Sequence, residues 1–351
     1  QTVEPYTFNV DTQVPAATIE SNRGARTKQR TATFTVTATD PDPDLVAAPA
    51  SDGPATPSGV ATVECKLDDD AFVACTAGAA STWTVTYGSD LAPLTETAHT
   101  MTTRVTDTAG NVYTRTYDFT VDVTAPTVSI TAPTDGSATN VTTPTVSLSV
   151  GVATGDPSDA TLAVYAGTSA TGTALRTLPM SKVGGVWTLS LAALAQGKYT
   201  LQATVTDDVG NTATSAPVTF NVDTALPTVA ISANRGARTN ESSITYTLTP
   251  SDPDPDFVSA LDDGAATPSD IYTVECKLDS DSYANCISGS VTYGSIAALD
   301  SGLHTLSVRV TDKAGNVYTT TRTFTTDYAA PSVSITVPLD GSSTNDTTPT
   351  V

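Results

Sequence analysis

The stretch VTDTAGN at residues 105–111 recurs as VTDDVGN at residues 205–211 and as VTDKAGN at residues 310–316. Each copy separates two runs in which apolar and polar residues alternate, a pattern that predicts two β-strands. Gly and Asn tolerate the positive φ of a tight turn, so each copy predicts a β-hairpin. An Asp and then a Pro follow each hairpin, at Asp122 and Pro126, at Asp223 and Pro227, and at Asp327 and Pro331. The chain is therefore punctuated three times by a hairpin, a strand and an Asp–Pro linker.

The composition predicts an all-β protein. Of the 351 residues, 39% are hydrophobic, and Thr and Val, which favour strands, dominate the alternating runs. No window shows a convincing helical period, and no run of about 18 apolar residues indicates a membrane span. The net charge of −21 makes nucleic acid and anionic membranes poor partners, whereas divalent cations are favourable ones. We therefore expect no nucleic-acid binding and no membrane insertion by this segment.

Longer repeats divide the chain into units of two kinds. The repeated segments are NRGART at residues 22–27 and 234–239, DPDPD at 40–44 and 252–256, and ECKLD at 64–68 and 275–279. The two long units that contain these segments are copies of each other and are called A units. The shorter unit between them has the same hairpin but no Cys, and it is called the B unit. The predicted division is the last strand of a preceding B unit at 1–11, the first A unit at 12–122, the B unit at 123–223, the second A unit at 224–327, and the first strands of a following B unit at 328–351. We expect the chain to be a window from a longer array in which A and B units alternate.

Each unit contains several short alternating runs separated by turn residues, which is typical of an antiparallel β-sandwich. In the first A unit the predicted strands are residues 16–20, 31–39, 60–67, 72–76, 82–87, 98–106 and 111–121.

Three motifs resemble bacterial immunoglobulin-like domains, the tandem modules of large surface adhesins and other secreted repeat proteins. The motifs are the Asp-x-Ala-Gly-Asn hairpin at 107–111 and 312–316, VDVTAP at 121–126, and ECKLD followed by a second Cys in each A unit. The resemblance covers essentially the whole chain. It implies tandem immunoglobulin-like antiparallel β-sandwiches in an extended array, a non-enzymatic stalk function, and calcium at domain junctions, which several such families use.

The four cysteines form two closely spaced pairs, Cys65 with Cys75 and Cys276 with Cys286. A hairpin symmetric about Asp70 puts Cys65 opposite Cys75 and Leu67 opposite Val73, and a hairpin symmetric about Asp281 repeats the arrangement in the second A unit. Facing strand residues have Cα atoms about 4.5–5.5 Å apart, which suits a disulfide. Free buried thiols and a metal site are the alternatives, and a metal site is disfavoured because no other Cys or His is near. Disulfides indicate an extracellular or cell-surface location.

Acidic residues recur where this topology brings three segments together at the N-terminal pole of each sandwich, namely the incoming linker, the loop after the second strand, and the closing hairpin. The candidate metal ligands are Asp11, Asp40, Asp42, Asp44, Asp107 and Asn111 in the first A unit, Asp122, Asp156, Asp159, Asp207 and Asn211 in the B unit, and Asp223, Asp252, Asp254, Asp256, Asp312 and Asn316 in the second A unit. Clustered carboxylates repel one another unless a cation joins them.

The type of ligand indicates which cation these residues would hold. Ca²⁺ takes about 6–8 oxygen ligands, whereas zinc and copper favour His or Cys. We therefore predict a Ca²⁺ ion at each linker, bound by the linker Asp and the hairpin Asp. Two alternatives remain, because each hairpin Asp could simply cap its own turn and the DPDPD loop could be a stiff, solvated turn.

Two other features bear on contacts between units and on catalysis. The basic loop at residues 22–30 leaves the first strand at the C-terminal pole, from which Arg23 or Arg26 could reach the acidic pole of the next unit, unless the loop is simply solvated. The two histidines, His99 and His304, align with Tyr199, which favours a packed amphipathic corner over a catalytic role. No Ser-His-Asp set, phosphate loop or pair of glycosidase-like carboxylates is recognisable, so we expect no enzyme activity.

These observations favour an extracellular stalk segment of a repetitive surface adhesin or filament, stiffened by Ca²⁺, whose partners are the neighbouring repeats of the same chain. A self-associating filament, sheath or surface-layer subunit, in which copies contact one another laterally, is a second hypothesis. A carbohydrate-binding module is a third, and it is disfavoured because aromatic residues are scattered and make up only 6% of the chain.

Overall fold

The computed structural model describes residues 11–41, 59–151, 159–183, 185–252, 271–286, 289–295, 297–334, 337, 340–345 and 347–348. Within these ranges the regular elements are β-strands, which confirms the all-β prediction. None of the described elements is a helix of the length and apolarity that crossing a membrane requires. The strands form three sandwiches in series, each with two sheets and its own core.

The first A unit forms two sheets in the strand orders β1-β3-β7-β6 and β2-β9-β8-β4-β5. Its strands in the described residues are β1 Ala16–Ser21, β2 Arg26–Thr27, β3 Ala32–Thr39, β4 Val60–Leu67, β5 Val73–Ala74, β6 Thr76–Ala77, β7 Thr82–Tyr87, β8 Ala98–Asp107 and β9 Val112–Val121. The predicted strands agree closely with these bounds, except that the run at 72–76 is divided between β5 and β6.

The B unit repeats this arrangement in the sheets β10-β12-β16-β15 and β11-β19-β17-β13-β14, with β18 also paired to β17. Its strands in the described residues are β10 Thr127–Ala132, β11 Ala138–Thr139, β12 Thr145–Gly151, β13 Asp159–Ala166, β14 Arg176–Pro179, β15 Ser181–Val183, β16 Val186–Ser190, β17 Gly197–Thr206, β18 Thr212–Thr214 and β19 Val218–Val222.

The second A unit forms the sheets β20-β22-β25 and β21-β27-β26-β23-β24. Its strands in the described residues are β20 Thr228–Ala233, β21 Arg238–Thr239, β22 Ile244–Ser251, β23 Ile271–Leu278, β24 Ala284–Asn285, β25 Ser290–Tyr293, β26 Gly302–Asp312 and β27 Val317–Thr326. Among the described residues beyond β27, the chain contains no strand.

The core of each sandwich follows from the alternation in sequence, because successive side chains of a strand point to opposite faces of the sheet. In β3, Ala32, Phe34, Val36 and Ala38 are buried, and the Thr residues between them are more exposed. Phe34 crosses the interior to the second sheet, where its ring lies 5.2 Å from that of Phe119. Burial of such alternating apolar side chains supplies most of the stabilisation of a two-layer fold.

A two-residue strand near the start of each unit carries the chain from the first sheet to the second. Strand β2 pairs in parallel with β9, and β11 and β21 pair in the same way with β19 and β27. Strand β2 lies within residues 22–30, which were interpreted as a loop from the sequence, so that interpretation was incomplete. The pairing places Arg26 beside the end of the last strand, where the backbone nitrogen of Asp122 donates to the carbonyl of Thr27 at 2.9 Å.

Both predicted disulfides are present, Cys65 with Cys75 and Cys276 with Cys286, at Cα separations of 5.6 and 5.9 Å. The predicted register of their hairpins was wrong, because Cys65 faces Val73 in the strand pairing and Cys276 faces Ala284. The hairpins are centred one residue earlier than expected, since Asp68 and Asp279 adopt positive φ and tighten the turn. Each disulfide therefore joins diagonal neighbours rather than directly opposed residues.

Candidate metal centres at the domain junctions

The closing hairpin of each unit is a tight turn organised by its own Asp. The Asp107 carboxylate accepts hydrogen bonds from the backbone nitrogen of Asn111 at 2.8 Å and from its side-chain nitrogen at 2.9 Å. Gly110 supplies the positive φ of 95° that closes the turn. The same pairs of bonds join Asn211 to Asp207 and Asn316 to Asp312. The capping role considered for the hairpin Asp is thus present in all three units.

The hairpin Asn also connects each unit to the linker that precedes it. Its side-chain nitrogen donates to the backbone carbonyl of the linker Asp, from Asn111 to Asp11 at 3.1 Å, from Asn211 to Asp122 at 3.0 Å, and from Asn316 to Asp223 at 2.9 Å. One amide group therefore positions the linker Asp and the hairpin Asp together. Each Asn thus orients the two Asp residues through its side-chain nitrogen, and the prediction that Asn111, Asn211 and Asn316 are themselves metal ligands stays a prediction.

Three carboxylates gather at the N-terminal pole of each A unit. One carboxylate oxygen from each member lies within 4.8 Å of the others in the two groups, Asp11 with Asp40 and Asp107, and Asp223 with Asp252 and Asp312. The linker, the loop after the second strand and the hairpin each contribute one member, as the topology predicts. We call these groups the first and second Asp triads.

The linker Asp of each triad is buried and has one oxygen with no hydrogen-bond donor. In the second triad Asp223 is fully buried, and its Oδ1 accepts from the backbone nitrogen of Ala225 at 2.9 Å, whereas no described group donates to its Oδ2. In the first triad Asp11 is 9% exposed, its Oδ1 accepts from the backbone nitrogen of Gln13 at 3.0 Å, and its Oδ2 likewise has no donor. A buried, unsatisfied carboxylate oxygen beside two further carboxylates is unfavourable unless a cation is present. The donor set, which is entirely oxygen, fits a hard divalent cation.

The hydrogen bonds within the hairpin keep its carboxylate ionised. Burial raises the pKa of the Asp107 carboxyl, but hydrogen bonds from the side chain and backbone of Asn111 and from the backbone of Gly110 and Ala109 outweigh it. The pKa of Asp107 therefore lies below its ordinary value. An ionised carboxylate is the form that a cation requires as a ligand.

The N-terminal pole of the B unit is built differently. Asp122 and Asp207 are buried there, but Asp159 is exposed at the start of β13, and the described residues of this pole contain no group of three carboxylates like the Asp triads. The other predicted ligands, Asp42, Asp44, Asp156, Asp254 and Asp256, lie outside the described residues.

An arginine occupies the junction between the first A unit and the B unit. The Arg26 guanidinium contacts Asp122 Oδ2 at 3.0 Å and Asp208 Oδ2 at 2.7 Å. Nearby, Lys28 Nζ donates to the carbonyl of Gly210 at 2.7 Å. This confirms the hypothesis that the basic loop reaches the acidic pole of the next unit, and it identifies Arg26 as the residue that does so. We call this set of contacts the arginine clasp.

The two histidines form packed corners, as the alignment with Tyr199 predicted. His304 stacks on Phe324 at 5.2 Å between ring centroids, and its two ring nitrogens lie 2.8 Å from Asp279 Oδ2 and 2.9 Å from the carbonyl of Asp300. Both neighbours are acceptors, so the arrangement favours a doubly protonated ring. In the B unit the hydroxyl of Tyr199 makes the equivalent bond to the carbonyl of Ala195 at 3.0 Å.

The carboxylate partners of these histidines, Asp68 and Asp279, were missed in the sequence because they lie in the distant disulfide hairpin. Burial lowers the pKa of His304, but its hydrogen bonds and charge interactions with Asp279 and Asp300 outweigh this effect and raise the pKa above its ordinary value. Burial raises the pKa of Asp279, but the bonds from His304 and from the backbone of Thr305 hold it below its ordinary value. The repeated ECKLD motif could have indicated these partners, because its final Asp contacts the His in both A units.

Two-sheet sandwiches in series, with a strand that switches sheets and a closing hairpin that meets the preceding linker, define a tandem immunoglobulin-like array. A family model described as "Bacterial Ig-like domain" matches residues 125–224 and 232–328, which is more than half of the chain. A second model, "Bacterial Ig-like domain (group 3)", matches residues 81–155. The chain therefore belongs to the bacterial Ig-like domain family.

Several solved structures are similar to the chain at lower identity. The structure of a 1.5-MDa bacterial ice-binding adhesin is 17% identical, with a TM-score of 0.40, 91% of this chain covered and 98% of that one. A tetra-tandem repeat from the extending region of a large adhesion protein is 18% identical, with a TM-score of 0.30 and coverages of 91% and 76%. Three N-terminal domains of the bacteriophage RB49 outer capsid protein are 14% identical, with a TM-score of 0.42 and coverages of 90% and 100%. No curated protein matches the chain, and none of these similarities transfers a ligand or partner to it.

Proposed function

We propose that the chain is a segment of an extracellular structural stalk in which Ca²⁺ aligns consecutive sandwiches. The family membership and the serial sandwiches support a structural role. The two disulfides support an oxidising, extracellular environment, because such bonds are rare in reducing compartments. The partners of each sandwich are then the neighbouring repeats of the same chain, and the work of the segment is reach and presentation.

The single observation that carries the calcium proposal is the second Asp triad. Asp223 ends the B unit, whereas Asp252 and Asp312 belong to the second A unit, so the triad spans two sandwiches. Two sandwiches joined by a short linker are expected to move relative to one another unless something holds their interface. A cation shared by the two sides binds only the aligned arrangement and therefore stabilises it.

The magnitude of this stabilisation depends on the concentration of free Ca²⁺ relative to the dissociation constant. At a concentration 100-fold above Kd, binding to the aligned state alone contributes about 2.7 kcal/mol. Calcium is favoured over zinc because the described ligands are carboxylate oxygens. It is favoured over magnesium because carboxylates from three separate segments suit the adaptable coordination of Ca²⁺ better than a strict octahedron.

The test combines small-angle scattering and calorimetry on the 351-residue chain with Ca²⁺ or with a chelator. We expect chelation to broaden the distribution of interdomain distances and to lower the melting temperature. Asp223→Asn preserves the shape of the side chain but removes one charge, so it should mimic chelation at the B–A junction. Asp118→Asn, on the surface of β9, is a control of matched chemistry. If chelation changes neither the dimensions nor the melting temperature, the Asp triads are ordinary acidic turns and the proposal is wrong.

A further inference from the structure

Equivalent positions differ between A and B units at the C-terminal pole. The first residue of the sheet-switching strand pairs with the last strand as Arg26 with Thr120, Ala138 with Asn221, and Arg238 with Thr325. A guanidinium is therefore available where the chain leaves an A unit. Where the chain leaves the B unit, the same position carries a methyl group.

A second difference lies at the N-terminal pole. Pairing with the first strand makes Thr39, Gly151 and Ser251 equivalent ends of the second strand. The next residue is Asp40 in the first A unit, Val152 in the B unit and Asp252 in the second A unit. The carboxylate that completes an Asp triad is thus encoded in both A units, and the B unit has Val at that position.

A third difference lies in the hairpin itself. The residue after the hairpin Asp is Thr108, Asp208 or Lys313. The carboxylate that receives the second nitrogen of the Arg26 guanidinium is therefore specific to the B unit. Three positions on different segments therefore differ at the two kinds of junction. Each difference removes a component of the Asp triad from the A–B junction or adds a component of the arginine clasp there.

We propose that the Arg26 guanidinium takes the structural place of the divalent cation at the A–B junction, so that the array alternates between metal-dependent B–A junctions and metal-independent A–B junctions. The metal-dependent half of this alternation rests on the function proposed above. In both kinds of junction a cation neutralises the linker Asp and ties it to the following hairpin. At the A–B junction that cation is covalently part of the preceding sandwich.

The geometry of the clasp explains why it needs no metal. Arg26 makes one contact within its own unit, to Asp122 at 3.0 Å, and one to the next unit, to Asp208 at 2.7 Å. The Asp122 side chain is 1% exposed, so its charge is neutralised away from water, where such a pair is least screened. Lys28 adds a bond to the carbonyl of Gly210. A junction with this positive charge in place would repel a divalent ion.

The proposal predicts different responses of the two junctions in one molecule. Pairs of spin labels placed across the A–B junction and across the B–A junction of the 351-residue chain report each distance distribution separately. Chelation should broaden the B–A distribution and leave the A–B distribution unchanged. Arg26→Ala should broaden the A–B distribution with or without Ca²⁺. Arg238→Ala, at the equivalent position of the second A unit, is the matched control and should change neither.

Calcium stoichiometry gives an independent measurement. We expect the chain to bind two Ca²⁺ ions, one for each Asp triad. Asp223→Asn should remove one ion, and Asp122→Asn should remove none. Ala138→Arg introduces a guanidinium beside the second triad and should eliminate binding there, while melting curves verify that the variant remains folded.

The outcomes separate the two proposals. If no Ca²⁺ binds, the proposed function fails and the alternation fails with it. If Ca²⁺ binds at the B–A junction but a third ion binds at the A–B junction, only the alternation is overturned. The alternation is also overturned if chelation loosens both junctions equally, or if Arg26→Ala leaves the A–B distribution unchanged.

Discussion

Removing the disulfide of the second A unit should destabilise that unit and leave its neighbours unchanged. The perturbation is the double variant Cys276→Ala/Cys286→Ala. Strand β24 pairs with β23 through only two residue pairs, Glu275 with Asn285 and Cys276 with Ala284. The backbone nitrogen of Cys286 also donates to the carbonyl of Val274 at 2.9 Å, and the disulfide is the covalent restraint that joins this short segment to β23.

The magnitude follows from the size of the loop that the bond closes. The two cysteines are 10 residues apart in sequence, and the chain-entropy relation gives a stabilisation of about 2.7 kcal/mol for a loop of this size. Both cysteines are buried, so losing their sulfur atoms adds a packing cost to this figure. For a domain of about 100 residues the corresponding fall in melting temperature is about 10–20 °C.

Differential scanning calorimetry of the whole chain at fixed Ca²⁺ measures this effect with two internal controls. The first A unit retains Cys65–Cys75 and should melt as before. The B unit has no cysteine and should be unaffected by either the variant or a reducing agent, which in turn identifies its transition. A fall of less than about 3 °C in the affected transition, corresponding to well under 1 kcal/mol, would refute the argument that the bond restrains the unfolded chain.

Two further predictions concern pH and backbone conformation. The pKa of His304 is raised in the folded state, so its stabilising effect is complete below the unfolded pKa of about 6.5 and should be lost as pH rises through the folded pKa. Calorimetry across this range should show the second A unit losing stability, and His304→Tyr, which reproduces Tyr199, should remove the dependence; a pH-independent transition in the parent chain would contradict it. Gly88→Ala should cost much more than Gly110→Ala, because an added Cβ would lie 2.2 Å from the Arg30 carbonyl at the former and meets open space at the latter. Gly110→Ala should lower the free energy of unfolding only by the roughly 1–2 kcal/mol that a positive φ costs a residue other than Gly. If denaturant titrations give the same loss for both variants, the structure relieves the contact at Gly88 and the prediction is wrong.

The long strands could be predicted because alternation of apolar and polar residues is a local property. Strand β3 reads ATFTVTAT, and its buried and exposed positions follow that reading. Strand β2 could not be predicted, because its two residues, Arg26 and Thr27, carry no periodicity and are a strand only through pairing with β9. The hairpin register was missed because Asp68, rather than a Gly, adopts the positive φ of 49°.

The candidate site was predictable in part for a similar reason. The meeting of linker Asp and hairpin Asp follows from topology, and the Asn bond to the linker carbonyl accompanies it in all three units. The prediction of a Ca²⁺ site at each linker stays a prediction, and it was made without comparing the residue that follows the second strand in each unit. Strand pairing, which only the structure supplies, aligns Gly151 with Thr39 and Ser251. The residue that follows in the sequence is then Val152 in the B unit and Asp40 or Asp252 in the A units.

The sheet-switching strand has a further consequence when the chain is pulled from its two ends. The terminal segments of each sandwich run parallel and are joined side by side, with Thr120 donating to Ala25 and Asp122 to Thr27 in the first A unit. The same two bonds recur from Asn221 and Asp223 in the B unit and from Thr325 and Asp327 in the second A unit. Tension along the array acts across these bonds in shear, so they must break together rather than one after another. The paired terminal strands therefore resist separation when the chain is pulled. We expect the array to lengthen under moderate tension by straightening its junctions before any sandwich unfolds.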